Sequence, residues 1–550
     1  MALVPQGTTV GQLAKLGLSP GLMSAGLGSV PAAQTYLDIS QGNRVFDSLY
    51  DAELPRDTGG GICGPTYSRA VIERAESAPA EIVPGLLATT LAEHQKGCRV
   101  ETVGLKGLAR LVKVLRGNDL LVAIERAPPE KNHALAIGIA GQGLNGDLTS
   151  DSTRTDGYVL STDVAPTILG RLGIAVPSQM SGQAIRSEGS VDVAGIEALG
   201  KRMSVISSRR GPVIGISLLA WIVVFGLAAL VGAQRVEGVA VRLLGLSIIY
   251  LPLLLLLGAA LEGGQEAEQL LVMFGAPLLA AVTLFAFRGL RALAVASGLV
   301  VFAYAIDVIV GSPLISLSLL GPNPGLGVRF YGIGNELEAL LGVLVVAGTG
   351  ATLTAFTRLN GRAAAAAFLV AALVSAAIFA AGRFGADVGA AIVLPVGGAV
   401  AAAAAIAGSR RRGVLLAIAS PLVVLALIAL ADLISGANAH LTRSVLDAGG
   451  LGDLADVAQR RLQLSAHSFV RPIVLFFLPV VAAAIVVAYL RRDRIDAWLG
   501  PVPALRAGLT GAVAATVVGT LANDSGALLL EIGTAYLLVF LAYAWSERSA

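Results

Sequence analysis

The sequence predicts two parts: an α/β domain over residues 1–200 and, after a linker at 201–211, an all-α polytopic transmembrane bundle over 212–545. Three observations predict this. Only 14% of the 550 residues are charged, against about 25% in soluble domains. The deficit is uneven: residues 1–210 mix polar and apolar side chains, whereas 212–545 run in blocks of Ala, Leu, Val, Ile and Gly, each near the ~20 residues of a membrane-spanning helix. The arginines of the second part gather in short loops between those blocks, which is a topology signal. A net charge of only +3 carries no nucleic-acid footprint, so no nucleic-acid partner is expected.

In the first part, Leu121–Glu125 and Ala134–Ala140 are short apolar runs that suit buried strands. Ser68–Glu76, Pro84–His94 and Val164–Leu172 fit helices, and Pro128–Pro129 and Gly141–Gly146 mark loops. Cys63 and Cys98 are the chain's two cysteines. They form a disulfide if this part is exported, or stay as two thiols; two are too few to read as a framework.

The apolar runs fall near 212–233, 243–261, 270–287, 293–312, 337–356, 363–381, 388–408, 414–434, 472–490, 507–521 and 527–545, about eleven spans. Many are rich in Gly and Ala, which lets helices approach closely. Alternate loops carry Arg235 and Arg242, Arg288 and Arg291, Arg358 and Arg362, Arg410 to Arg412, and Arg491, Arg492, Arg494 and Arg506. By the positive-inside rule these loops and the C-terminus are cytoplasmic, and residues 1–200 are outside. Lys201, Arg202, Arg209 and Arg210 oppose the rule and suit lipid phosphates. Leu13–Val30 contains Lys15 and Pro20 and lacks the apolar core of a signal. The expectation is a natural product that begins earlier, with a signal anchor; translocation by the first span is the alternative.

The stretch Gly146–Ile185 places Asp163-Val-Ala-Pro-Thr167 ahead of Leu172–Ile174, Pro177 and Met180–Gly182. Asp163 suits a helix cap and Pro166 an early helical position. This order resembles the late segment of alkaline-phosphatase-like and sulfatase-like domains. Gly21–Met23 and Tyr36–Arg44 resemble the early part of bacterial polytopic membrane proteins that carry such a domain at the N-terminus. The resemblance covers most of residues 15–190 and implies an alkaline-phosphatase-like fold, degenerate or N-terminally truncated. That superfamily uses a metal pair held by Asp and His, with a nucleophile at a helix start. Its first strand would precede residue 1, His94 and His133 are the domain's only histidines, and Thr35, the nucleophile by position, has no nearby base. No metal ligand or cofactor is assigned, and a binding module derived from an enzyme is expected.

Three glycine-punctuated polar stretches fall on the outer side: Gly327–Glu338, Gly382–Gly389 and Leu521–Gly526. Polar backbone at a membrane boundary needs partners, so these stretches are expected to build one site. The candidate catalytic groups are Glu336, Asp387, Asp524 and His467; the candidate binding groups are Arg329, Tyr331, Asn335, Arg383 and Asn523. Carboxylates or a histidine would move protons, and arginines and amides would hold an anionic head group. Local structure explains part of the set: Asn335 with Glu338 reads as a capping box, Arg383 with Asp387 as a turn pair, and Asn523 to Ser525 as caps. Asp307, Asp432 and Glu531 lie within apolar runs. Ser435–Arg471 carries His440, Arg443, Arg460, Arg461, His467 and Arg471, with 451–464 as an amphipathic surface helix or a solvated basic face.

The stretches resemble those of bacterial envelope proteins with the same two-part layout. The leading expectation is a plasma-membrane enzyme, a transferase or hydrolase acting on a membrane lipid or on a lipid-linked or phosphorylated envelope component. A transporter or flippase with an exported receptor domain, and a non-catalytic assembly scaffold, are the alternatives. The sequence carries no P-loop, Rossmann fingerprint or HExxH.

Overall fold

The computed structural model describes residues 1–128, 134–232, 234–357, 359, 361–382, 384–406, 415, 418–420, 422–423 and 462–548. The chain divides into two compact units, Met1–Ser207 with Asn323–Phe330, and Ser208–Pro322 with Tyr331–Ala550.

The first unit is built on a mixed sheet. Its strands are β1 (Ala2–Val4), β2 (Ser19–Ser24), β3 (Glu101–Thr102), β4 (Leu121–Glu125), β5 (Ala134–Ala140) and β7 (Tyr158–Leu160), in the order β3-β1-β4-β5-β2-β7. β5 runs antiparallel to β4 and β2, with Val122 opposite Ile139 and Gly21 opposite Ile137. β6 (Asp147–Thr149) and β8 (Arg186–Glu188) pair apart from it. Side chains alternate across the pleat. Val122, Ile124, Ile137 and Ile139 face one core layer with Ile39 and Val164, from helices α2 (Ala32–Gln41) and α6 (Val164–Arg171). Leu121, Ala123 and Ala136 face the other with Leu13, Leu108 and Ile196, from α1 (Val10–Lys15), α5 (Leu105–Val114) and α7 (Val193–Arg210). Burial on both faces is why β4 and β5 read as unbroken apolar runs. α3 (Arg69–Glu76) and α4 (Leu86–Glu93) complete the unit, and Cys63 and Cys98 form a disulfide.

The stretch 201–211, expected as a linker, is helical: α7 runs through a π-helical turn, Gly211–Gly215, into α8 (Ile216–Val231). The arginine-rich composition hid a helix whose Met203 and Ile206 are buried.

The second unit is helical. Among the described residues eight helices are long and apolar enough to cross a membrane, or nine if a bent pair counts as one. After α8 come α9 (Gln234–Leu261), α10 (Gln265–Ala286), α11 (Leu290–Ile309), α12 (Asn335–Phe356) and α13 (Gly361–Ala380). The shorter α14 (Ala390–Ala405) follows; then α15 (Pro472–Leu490) bends by 70° into α16 (Arg492–Leu499). α17 (Pro503–Ala522) and α18 (Gly526–Ser546) close the chain. Ten of the eleven expected runs are helices; 414–434, with Asp432, extends outside the described residues. The helices are compatible with a multi-pass membrane protein.

α12 is the axis of this unit, buried without a break from Leu337 to Ala347. Glycines let α14 and α17 close on it. A Cβ at Gly508 would lie 2.9 Å from the Val346 carbonyl, one at Gly350 2.7 Å from the Ala504 carbonyl, and one at Gly397 3.0 Å from Ala515 Cβ. Such small-residue contacts substitute for the hydrophobic effect, which does not drive helices together in lipid. They also bring the start of α12, the start of α14 and the end of α17 side by side.

Candidate functional site

The cap of α12 is Gly334 rather than Asn335, and no side-chain cap bond forms there. The capping box expected between Asn335 and Glu338 is therefore absent. These residues are three apart and share a helix face, and both turn to the loop after α17. Asn523 Nδ2 donates to Glu338 Oε2 at 2.7 Å and to Asn335 Oδ1 at 3.3 Å. Asn335 Nδ2 donates to Asp524 Oδ1 at 3.0 Å. Asn523 is itself oriented, because its Oδ1 accepts the Ser525 amide at 3.1 Å.

The third polar stretch joins them. Asp387 Oδ1 accepts the Gly389 amide at 2.9 Å, and Gly389 lies so close to Glu338 that a Cβ would overlap the carboxylate. Glu338, Asp387 and Asn523 are only 2%, 3% and 6% exposed. Two carboxyls and an amide are thus gathered from three loop ends and withdrawn from water. Charges so placed need hydrogen-bond partners, and the Asn523 amide is one for Glu338.

Further contacts hold the loops. Ile333 N donates to the Gly385 carbonyl at 3.3 Å, and Gly332 N to Ser312 Oγ at 3.0 Å. Ser465 Oγ donates to the Thr520 carbonyl at 2.7 Å, and Ser468 Oγ accepts the Ala527 amide at 3.0 Å.

Of the expected catalytic groups, Asp387 and Asp524 belong to this cluster. Glu336 does not share its contacts: its Oε1 pairs with Arg210 Nη1 at 3.2 Å, and Arg210 also donates to the Gly321 carbonyl. His467 is exposed, and its Nδ1 donates to Gln463 O on its own helical turn; Ser465 and Ser468 make the contacts to the 520–527 loop instead. Of the expected binding groups, Asn335 and Asn523 are in the cluster, and Tyr331 is half-buried in the same unit. Arg329 is half-buried in the first unit, as part of Asn323–Phe330. Arg383, His133, Arg358, Arg410 to Arg412, His440, Arg443, Arg460, Arg461 and most of the expected helix at 451–464 lie outside the described residues.

Glu338 is the member that sequence reasoning assigned only to a cap. Its i, i+3 spacing to Asn335 was the available signal; the partner 185 positions away was not. Among the acids in apolar runs, Asp307 is a local cap, accepting the Leu314 and Ile315 amides at 3.1 and 2.8 Å.

The first unit has its own buried polar groups. Asp163 was expected to cap α6, yet it makes no side-chain cap bond. Its carboxylate accepts from Ser150 Oγ (2.7 Å), Ser152 Oγ (2.6 Å), the Leu160 amide (3.0 Å) and the Gln183 amide (2.9 Å). It ties two loops together, and burial raises its pKa against the downward pull of those donors. Asp38, on α2, accepts from Gln34 Nε2 at 2.7 Å and Gln41 Nε2 at 3.3 Å. Burial pushes its carboxyl up to about 7, despite the Gln34 bond and the nearby Arg44 and Arg74. Thr35 is fully buried on the same helix.

Gly327–Phe330 also belongs to this unit. Arg44 Nη2 donates to the Gly327 carbonyl at 2.7 Å, Gly28 N donates to the Leu326 carbonyl at 2.7 Å, and the Phe330 and Tyr158 rings lie 5.4 Å apart. Gly327 has φ +70°, and a Cβ there would lie 2.5 Å from Ser24 Oγ and overlap the Gly26 carbonyl. Only glycine suits that position.

The class these features define is a multi-helix chain of membrane-spanning dimensions joined to a small mixed-sheet unit. Comparison with protein-family models, with curated proteins and with solved structures finds no match.

Proposed function

We propose that the chain is a bacterial cell-envelope enzyme of the plasma membrane, a transferase or hydrolase acting on a lipid-linked or phosphorylated envelope component at the outer boundary of the bilayer. The observation that carries this reading is the meeting of Asn335, Glu338, Asp387, Asn523 and Asp524 from three separate stretches. Buried carboxyls can exchange protons with a bound hydroxyl or leaving group, and amides fixed at both ends can orient it. Carboxylates and amides match hydroxyl groups, which favours a lipid-linked, hydroxyl-bearing component over a bare phosphate.

In this reading Glu338 and Asp387 are the proton-transfer groups, and Asn335 and Asn523 position the substrate. The arginine-rich loops support a cytoplasmic C-terminus. The Cys63–Cys98 disulfide supports an exported first unit, which we take as an alkaline-phosphatase-like binding module. A transporter would need a polar path through the bilayer. The local capping role of Asp307 weighs against that alternative.

The test is the lipid profile of cells carrying Glu338→Gln, Asp387→Asn or Glu531→Gln at normal protein abundance. The first two are expected to accumulate a lipid-linked precursor and the third to resemble wild type. A wild-type profile for both cluster variants would sink the reading; defects confined to Glu531→Gln would favour transport.

A further inference from the structure

A cavity of about 370 Å³, within the size range of ligand sites, runs along α17 from Arg506, at the end away from the cluster, to Val517. It is a half-open groove lined by α15, α16, α17 and α18. Its long walls are apolar, with Leu509, Val513 and Val517 from α17 and Leu538 from α18. Val513, Val517 and Leu538 are 49%, 49% and 40% exposed, so in a bilayer the groove opens to hydrocarbon. From Leu530 to Leu541 the α18 wall rises about 16 Å. That is about half of the ~30 Å hydrocarbon core, the depth of one leaflet.

The polar end is cationic. Arg492 and Arg506 line it together with one acid, Asp496. Arg506 Nη2 pairs with Asp496 at 2.9 Å, whereas the ion pair of Arg492 is a loose 3.8 Å contact with its neighbour Asp493. The Arg492 guanidinium lies over the Tyr489 ring, 4.7 Å from its centroid, at the bend between α15 and α16. Arg506 and Asn523 are separated by 17 residues of α17, or about 26 Å. The mouth therefore sits near the membrane boundary away from the carboxyl cluster.

We propose that this groove binds an anionic phospholipid of the leaflet on the arginine-rich side. One acyl chain lies along α17 and α18, and the phosphate sits between Arg492 and Arg506. An apolar wall one leaflet deep ending in two arginines matches a phospholipid at both ends. A detached phosphate would leave the wall uncovered, and a lipid without net charge would leave the lining's excess positive charge, two arginines against Asp496, uncompensated. Arginine suits the phosphate, offering forked donors.

The test uses the full chain purified in detergent, with thermal unfolding followed as dioleoyl phosphatidylglycerol or dioleoyl phosphatidylcholine is added. The two lipids share their acyl chains, so a difference reports the head group. Phosphatidylglycerol is expected to stabilise the wild type at lower concentration. In Arg492→Ala/Arg506→Ala that preference should fall about thirtyfold, the effect of two surface charges on an anionic lipid. Leu538→Trp, which fills the groove, should remove the response to both lipids, and Val513→Phe repeats the test if Leu538→Trp does not fold. Equal responses of the wild type to the two lipids would overturn the proposal. So would a preference that survives loss of both arginines, or full lipid response in a folded, filled variant.

Discussion

Gly389→Ala is the sharpest probe of the carboxyl cluster, because one methyl group is aimed at one side chain. Gly389 has φ −61° and ψ −44°, a conformation that alanine adopts freely, so no backbone strain is introduced. The new Cβ would lie 2.5 Å from Glu338 Cδ and Oε1. Ordinary contact is about 3.5 Å, so the carboxylate must retreat by about 1 Å. Glu338 is 2% exposed and has little room to do so. Retreat breaks its 2.7 Å bond from Asn523. A hydrogen bond to a charged group contributes about 1.5–3 kcal/mol, and overpacking costs a further 1–3 kcal/mol or so. Gly389→Ala should therefore destabilise by about 3 kcal/mol. In a Glu338→Ala background the methyl enters empty space and its penalty should vanish. The assay is a double-mutant cycle on unfolding of the full chain in detergent micelles, with a coupling of about 3 kcal/mol expected. An equal penalty for Gly389→Ala in both backgrounds would refute the packing argument.

Four further outcomes follow from other contacts. Asp38 holds its proton up to about pH 7 when folded, against an ordinary value of 3.8, so the native state binds more protons between those values and stability falls as pH rises from about 4 to about 7. The fall amounts to about 4 kcal/mol; Asp38→Asn should flatten it and raise the unfolding temperature at pH 7.5, and an unchanged pH profile would count against it. Asp163→Ala leaves two hydroxyls and two amides without their acceptor, and should cost about 3 kcal/mol or more, seen as faster proteolysis near 150–153 and 183. Gly327→Val meets both a positive φ and the Gly26 carbonyl, and should abolish accumulation of folded protein, whereas Val328→Ala, at an exposed position, should not. A cysteine placed at Tyr331 should react with an impermeant thiol reagent in intact cells and one at Arg492 should not; the reverse pattern would invert the proposed orientation.

Two strands and three helices of the first unit were legible because their signals are local. Leu121–Glu125 and Ala134–Ala140 are buried on both faces, and such strands are written as continuous apolar runs. The membrane-length helices were legible for a related reason: a span must satisfy its own backbone and shed charge over about 20 residues. The polar stretches stood out against that background, so the neighbourhood of the carboxyl cluster could be read from glycine, asparagine and acid between apolar runs.

What the sequence by itself determined was therefore period, span length and the places where polarity interrupts them. Tertiary structure alone decided which of two nearby acids enters the cluster. Glu336 and Glu338 differ by two residues, about 200° around a helix, and only the packing of α12 against α17 turns one to Asn523 and leaves the other to Arg210. It also decided that Asp163 binds two loops rather than capping its own helix, and that Gly327–Phe330 packs with the first unit while Tyr331–Glu338 belongs to the second. Such choices depend on partners tens to hundreds of positions away. A residue's own neighbours along the chain carry no record of which of its possible hydrogen bonds will be completed.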